Sequence, residues 1–192
     1  EDFFKDNKTS VGVVSDGEGH LGYSLKPVAK RLTEVLRDKK ILQKDREVTI
    51  TDDCIGEEVK SIISKDGIFL LENVMFRSGE TSEDDNEVME FAKQLHNTTL
   101  CDVYVNADPV TAHMGQHASL GPITRLISGP KVAGFLLTQE LTALDNFMRK
   151  PHKPVVAIIG GANVSTKVEA MKNLIVYGKV DKLDTCRPDI QS

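Results

Sequence analysis

The chain has 192 residues, enough to bury a substantial core as one domain, or as one domain and part of another. Its composition, 40% apolar and 28% charged, is that of a globular protein, and a formal charge of −5 leaves no basic footprint for nucleic acid. No apolar run reaches the ~18 residues of a membrane-spanning helix, and EDFFKDNK at the start lacks the charge and apolar core of a signal peptide, so a soluble intracellular chain is expected.

Val11 to Ser15 form a short apolar strand, followed by the glycine-bearing loop SDGEGHLGY. From there Leu25, Val28, Ala29, Leu32 and Leu36 make a helical stripe, with Ser24 expected as its cap and Pro27 tolerated in the first turn. Val48 to Thr51 is a second strand, DDCIG a turn, and Glu57 to Ser64 a short helix. Asp52 and Asp53 are adjacent acids, but nothing else at ligand spacing supports a metal, and a solvated turn is the expectation. Gly67 to Glu72 is a third, buried strand leading into the loop NVMFRSGETSEDD. The acidic run from Glu80 to Glu90 reads as the exposed first half of a helix whose inward residues are Val88, Phe91, Ala92 and Leu95, because acids suit a helix N-terminus.

Asp102 to Asn106 is a fourth strand, ending in the long polar loop ADPVTAHMGQHAS, and open α/β sheets place ligands beyond such strand ends. A helical segment TRLIS, a strand from Lys131 to Gly134 and a helix capped by Thr138 follow, the last closed by the prolines of PHKP. Strands alternating with helices give a parallel α/β sheet with helices on both faces. The three cysteines, Cys54, Cys101 and Cys186, are odd in number and unpatterned, which argues against a disulfide framework or a zinc site. Cys54 and Cys101 read as packed thiols. With no initiator Met and an end just after a helical pattern, the chain is expected to be a piece of something longer.

Lys153 to Lys172, KPVVAIIGGANVSTKVEAMK, reads as strand, tight turn and helix. Val155 to Ile159 suit a strand buried on both faces, Gly160 and Gly161 permit close backbone approach, and Ser165 can cap a helix with Val168, Met171 and Ile175 inward. Free N–H groups at such a helix start suit a phosphate, although an ordinary βα connection uses the same residues. The P-loop spacing is absent. The expected organisation is a domain over 1–136, a connecting helix over 137–150 and the start of a second α/β domain over 151–192. Helices alone do not cover both faces and both edges of the strand at Val155, so part of it is expected to be exposed.

Six stretches in order, YSLKPVAKRL, DDCIG, GIFLLENVMF, DVYVNADPVTAH, GFLLTQELTALDNF and KPVVAIIGGANVSTKVEAMKNLI, resemble phosphoglycerate kinase. The resemblance runs from about Val11 to Leu183 and implies a Rossmann-like domain that binds 3-phosphoglycerate, an interdomain helix, and the opening of a domain that binds Mg-ADP or Mg-ATP. Such phosphoryl transfer works by positioning and charge neutralisation, so the basic residues matter most. The family motif Glu-Asn-x-Arg-Phe is here Glu72-Asn73-Val74-Met75-Phe76, and Gly-Thr-Ala-His-Arg is Val110-Thr111-Ala112-His113-Met114. A loop Ser-His-Leu-Gly-Arg-Pro is replaced by Ser15 to Gly22, with Asp16 and Glu18 adding negative charge. In Gly-Gly-Ala-Lys-Val the lysine is Asn163, while Lys167 keeps a second lysine. The family's first strand, with its Asp-x-Asn motif and following arginine, has no counterpart, nor does the nucleotide domain beyond about Leu183.

Met75, Met114 and Asn163 are therefore degenerate catalytic positions, and the expectation is a pseudoenzyme with no cofactor and no metal, kept as a structural or binding subunit with other protein subunits as partners. The alternative is a divergent active enzyme of glycolysis, a transferase that moves a phosphoryl group between 1,3-bisphosphoglycerate and ADP. Its substrate-binding residues would be His113, Asn73, Arg77 and His20, and Gly160, Gly161 and Lys167 would bind nucleotide phosphate. A module that binds a nucleotide or phosphometabolite without turnover is a third reading, resting on Lys167 and the Gly160-Gly161 turn. The two methionines are expected to mark a cleft that has become apolar, either a partner surface or loops collapsed on each other.

Overall fold

A computed structural model describes residues 11–13, 24–149, 152–160, 165–177 and 180–186. The expectations for Ser15, Asp16, Glu18, His20, Gly161 and Asn163 concern positions outside these residues. The chain divides into two compact units, 1–134 and 135–192.

In the first unit β1 (Val11–Val13), α1 (Lys26–Asp38), β2 (Thr49–Ile50), α2 (Glu57–Ile63) and β3 (Ile68–Leu70) build a three-stranded parallel sheet in the order β1-β3-β2. Phe69 stands opposite both Gly12 and Thr49, so β3 is the central strand. Two 3₁₀ turns, Val74–Phe76 and Ser78–Glu80, lead from β3 to α3 (Asp85–Thr99). Then β4 (Tyr104–Asn106) pairs in parallel with β5 (Lys131–Ala133) across a connection that contains α4 (Pro122–Leu126). Strands this short hold few ladder bonds, so the helix-to-sheet packing carries the unit.

That packing follows the apolar stripes. Leu25, Ala29, Val48 and Leu70 form one buried cluster, with Leu32 and Leu36 against it. The second cluster joins Cys54, Val59, Leu71 and Val74 to Val88, Phe91, Ala92 and Leu95 of α3 and to Ile123 and Ile127 around α4. Each fully buried side chain of this size contributes about 1.5–3 kcal/mol. Thr33 stitches α1 to β2, because its hydroxyl donates to the Ala29 carbonyl at 2.9 Å and accepts from Val48 N–H at 2.9 Å.

Several local expectations are corrected. Ser24 is not the capping residue of α1, which is Leu25: the Ser24 hydroxyl donates to Glu72 Oε2 at 2.7 Å and accepts only a long bond from Lys26 N–H at 3.4 Å, while Glu72 Oε1 accepts from Leu25 N–H at 2.8 Å. Glu72, just beyond the end of β3, thus shares the helix entry with Ser24, taking the Leu25 N–H and the Ser24 hydroxyl. Glu80 is not on an exposed helical face. It is fully buried ahead of α3, whose cap is Asp84, with Asp84 Oδ1 accepting from Asn86 N–H at 2.9 Å. The helix α3 ends on Leu100 in the left-handed region, φ 48°.

In the second unit α5 (Phe135–Arg149) begins three residues before Thr138, directly after β5, so Thr138 lies inside the helix and is not its cap. The strand β6 (Val156–Gly160), α6 (Ser165–Val176) and β7 (Lys182–Cys186) form a parallel βαβ unit. The sequence reading lacked β7, because Leu183 between Lys182 and Asp184 gives little strand signal. Asp181 fixes the entry to β6, accepting from Val155 N–H at 2.6 Å and Lys153 Nζ at 2.8 Å. Val156 and Ile158 are 50% and 71% exposed, so β6 is not buried on both faces within this chain. Val168 and Ile175, expected inward, are also exposed, because two strands are too narrow to cover the helix face.

Candidate functional site

In the first unit the described residues singled out by the sequence lie on two loops, each leaving the carboxyl end of a strand. The loop after β3 carries Asn73, Met75 and Arg77, and the loop after β4 carries His113 and Met114.

Asn73 is buried, and its Oδ1 accepts from Met75 N–H at 3.0 Å, which starts the first 3₁₀ turn. Glu72 beside it is buried too. Its carboxylate takes the N–H groups of Leu25 and Asn73 and the hydroxyl of Ser24. Burial raises its pKa, but those donors, with Lys26, outweigh burial and hold it below the ordinary value. Met75 is half-buried on this framework. Arg77 is half-exposed and turns to Asp53 in the turn after β2: its Nε donates to Oδ1 at 3.2 Å and its Nη2 donates to Oδ2. The adjacent Asp52 pairs with Lys26 Nζ at 3.2 Å. The two acids read as a solvated turn each hold a cation, and among the described residues no group of His, Cys, Asp and Glu could hold a metal ion.

The loop after β4 is a series of turns closed on itself. Asn106 Oδ1 accepts from Asp108 N–H at 3.1 Å, and Asp108 accepts from Val110 N–H at 2.9 Å and from the Thr111 hydroxyl at 2.7 Å. The Thr111 hydroxyl and then the Val110 N–H keep the Asp108 carboxyl below its ordinary pKa. His113 is exposed and Met114 half-buried, and Met114 N–H donates to the Thr111 carbonyl at 2.8 Å. His117 is half-buried, and its Nδ1 is buried without a hydrogen-bond partner.

Glu80 joins the two loops, a role the sequence reading missed. Its carboxylate accepts from the Ser119 hydroxyl at 2.6 Å and Ser119 N–H at 3.1 Å, and its carbonyl accepts from Ala118 N–H at 3.0 Å. Tyr104 donates its hydroxyl to the Ser119 carbonyl at 3.0 Å, which ties the same point to β4. Burial, then the charge of Glu80, raises the Tyr104 pKa. Within an acidic run nothing in the sequence distinguishes this one buried glutamate.

In the second unit Gly160 ends β6 and the half-buried Lys167 lies in the first turn of α6, and the turn between them, 161–164, lies outside the described residues.

Comparison with known proteins gives a consistent result. Residues 11–186 match the sequence profile of the family described as phosphoglycerate kinase. A phosphoglycerate kinase of Aquifex aeolicus is 44% identical over 164 residues, which are 84% of this chain and 37% of that protein. One from Geobacter metallireducens is 42% identical over 171 residues, 87% of this chain and 38% of that protein. The phosphoglycerate kinase structure from Coxiella burnetii matches with a TM-score of 0.63 at 29% identity over 93% of this chain and 42% of that one. The one from Pyrococcus horikoshii matches in fold with a TM-score of 0.72 at 24% identity, over 91% of this chain and 43% of that one. The chain spans less than half the length of these relatives.

Proposed function

This chain belongs to the phosphoglycerate kinase family, and from that premise we propose that it is a member that has lost phosphoryl transfer and serves as a structural or binding subunit. The observation that carries this reading is the fate of the cations on the two loops. Met75 and Met114 stand where the family motif has arginine, and Arg77, two residues further on, is paired with Asp53. Each lost charge-assisted contact to a dianion costs about 1.5–3 kcal/mol, so two weaken substrate binding by roughly 10²- to 10⁴-fold. The degenerate Asn163 extends the same pattern to the nucleotide side. Residues 1–136 are the substrate-type domain in this reading, 137–150 the interdomain helix and 151–192 the start of the nucleotide-type domain.

Calorimetric titration of the chain with 3-phosphoglycerate tests the proposal. No saturation is expected up to millimolar concentration, and a dissociation constant at or below that range, abolished by His113→Ala, would overturn it.

A second reading, a divergent active phosphoglycerate kinase, is favoured by 42–44% identity to proteins of that name. In it the exposed His113 meets substrate, and Gly160, Gly161 and Lys167 hold the phosphates of Mg-ATP or Mg-ADP. Mg-nucleotide supplies the phosphoryl group or its acceptor. The chain's own part is to bind and orient substrate through the loops that Glu80 joins. Turnover of 1,3-bisphosphoglycerate with ADP by the natural full-length protein, lost in Lys167→Ala, would establish this reading.

A further inference from the structure

We infer that Arg77 is the cation of a latent anion site whose occupant is the chain's own Asp53 carboxylate. This rests on the reading above and says how the remaining arginine of the loop is kept from a substrate. Asp53 and Arg77 are 24 residues apart and meet fork to fork, with Nε on Oδ1 and Nη2 on Oδ2. A guanidinium engaged through two parallel N–H groups presents the geometry that a carboxylate or phosphate of a small metabolite would take. Asp53 is held in place to do this. Its Oδ1 also accepts from Cys54 N–H at 2.7 Å, and its carbonyl accepts from the Thr51 hydroxyl at 2.6 Å.

Arg77 is also reachable from outside. With Ile55, Ser78, Asn86, Glu87 and Glu90 it lines an open cavity of about 440 Å³, wide enough for a small phosphorylated acid, although the two glutamates there weaken its hold on an anion. The Asp52–Lys26 pair withdraws a second cation from the same end of the sheet. A tethered carboxylate competes at an effective concentration in the millimolar range without loss of translational freedom. A half-exposed pair of this kind biases the equilibrium by a factor of about two to five. Asp53 therefore lowers the apparent affinity of Arg77 for such a metabolite by about two- to five-fold.

The test follows the Arg77 Nε–H resonance of the whole chain, labelled at arginine nitrogen. Inorganic phosphate and, separately, 3-phosphoglycerate are titrated at constant ionic strength, since such contacts are screened by salt. In the unchanged chain the resonance shifts only weakly over the same concentrations. In Asp53→Asn, which keeps an acceptor for Cys54 N–H, it shifts saturably with an association constant about two- to five-fold higher. Asp53→Ser, which also retains an acceptor, repeats the measurement should the amide disturb the turn. In an Arg77→Gln background, Asp53→Asn leaves the neighbouring Gly79 amide unmoved by either anion. An unmoved Arg77 resonance in both Asp53 variants overturns the inference, as does an equal shift in the unchanged chain. Calorimetric binding of 3-phosphoglycerate by the unchanged chain, with Arg77 unmoved, would instead count against the loss of substrate binding and leave the Asp53 occupancy standing.

Discussion

Replacing Glu80 by alanine should cost this chain about 4–7 kcal/mol. The carboxylate is 0% exposed and receives both the hydroxyl of Ser119 at 2.6 Å and its N–H at 3.1 Å. A hydrogen bond to a charged acceptor is worth about 1.5–3 kcal/mol, and the two donors would be left facing a void. Deleting one methylene along with the carboxylate from a filled site adds about 1 kcal/mol. Ser119 is only half-buried, so water can reach part of the gap and the lower end of the range is expected. Because domains of this size are stable by only about 5–15 kcal/mol, even that is a large share. Urea unfolding of the chain, followed by circular dichroism, gives the loss, and amide exchange at Ala118 and Ser119 localises it. Ser119→Ala alone should cost about 1.5–3 kcal/mol, and the double variant should cost less than the sum by at least ~1 kcal/mol. A loss below about 1 kcal/mol for Glu80→Ala, or strict additivity with Ser119→Ala, would refute the claim that Glu80 joins the loops.

Leu100 ends α3 with φ 48° and is 60% exposed, so Leu100→Gly should raise the unfolding free energy by about 1 kcal/mol; a fall in stability would contradict this. Glu72 has a folded pKa below its ordinary value, so its contribution is present above the unfolded pKa and is lost as the pH falls through the folded one. Urea midpoints of the unchanged chain and Glu72→Gln should therefore converge as the pH falls below the ordinary glutamate range of about 4.3, and a constant gap would show that the carboxylate's charge plays no part. Burial pushes the Cys54 thiol up to about 12, a rise that its own backbone N–H opposes and the charges of Glu80 and Glu72 add to. Cys54 should resist alkylation of the folded chain at neutral pH, and prompt modification there would disprove it.

The strand and helix order was legible because each element carries its own pattern. Leu25, Ala29, Leu32 and Leu36 recur at helical spacing, and Ile68 to Leu71 form an apolar run that tertiary packing buries at least in part. Most of what escaped depends on partners distant in sequence. Ser24 looks like a cap, but the carboxylate of Glu72, 48 residues later, shares the helix entry, taking the Leu25 N–H and the Ser24 hydroxyl. Glu80 sits among acids of identical local character and differs only because Ser119, 39 residues on, folds over it. Arg77 was legible as a spare cation, whereas its pairing with Asp53 required the turn after β2 to be placed beside the turn after β3. The strand β7 has the opposite problem, since its pattern is too polar to announce a strand until β6 supplies the ladder.

The strand order β1-β3-β2 also bears on how the polypeptide is made. The central strand is the last of the three to be synthesised, so neither β1 nor β2 has its partner until residue 70 has left the ribosome. At about 5–20 residues per second, Val11–Val13 wait some 3–12 seconds for Ile68–Leu70. During that interval α1 has no completed sheet to pack against, and Leu25 and Ala29 lack Leu70, the fully buried β3 residue of their cluster. The arrival of β3 supplies the ladder for both outer strands, the floor beneath α1 and, two residues later, the Glu72 carboxylate that takes the Leu25 N–H at the α1 entry. Assembly of this sheet is therefore gated by a single late segment, and a nascent chain stalled before residue 68 would hold its first strand and first helix exposed to chaperones.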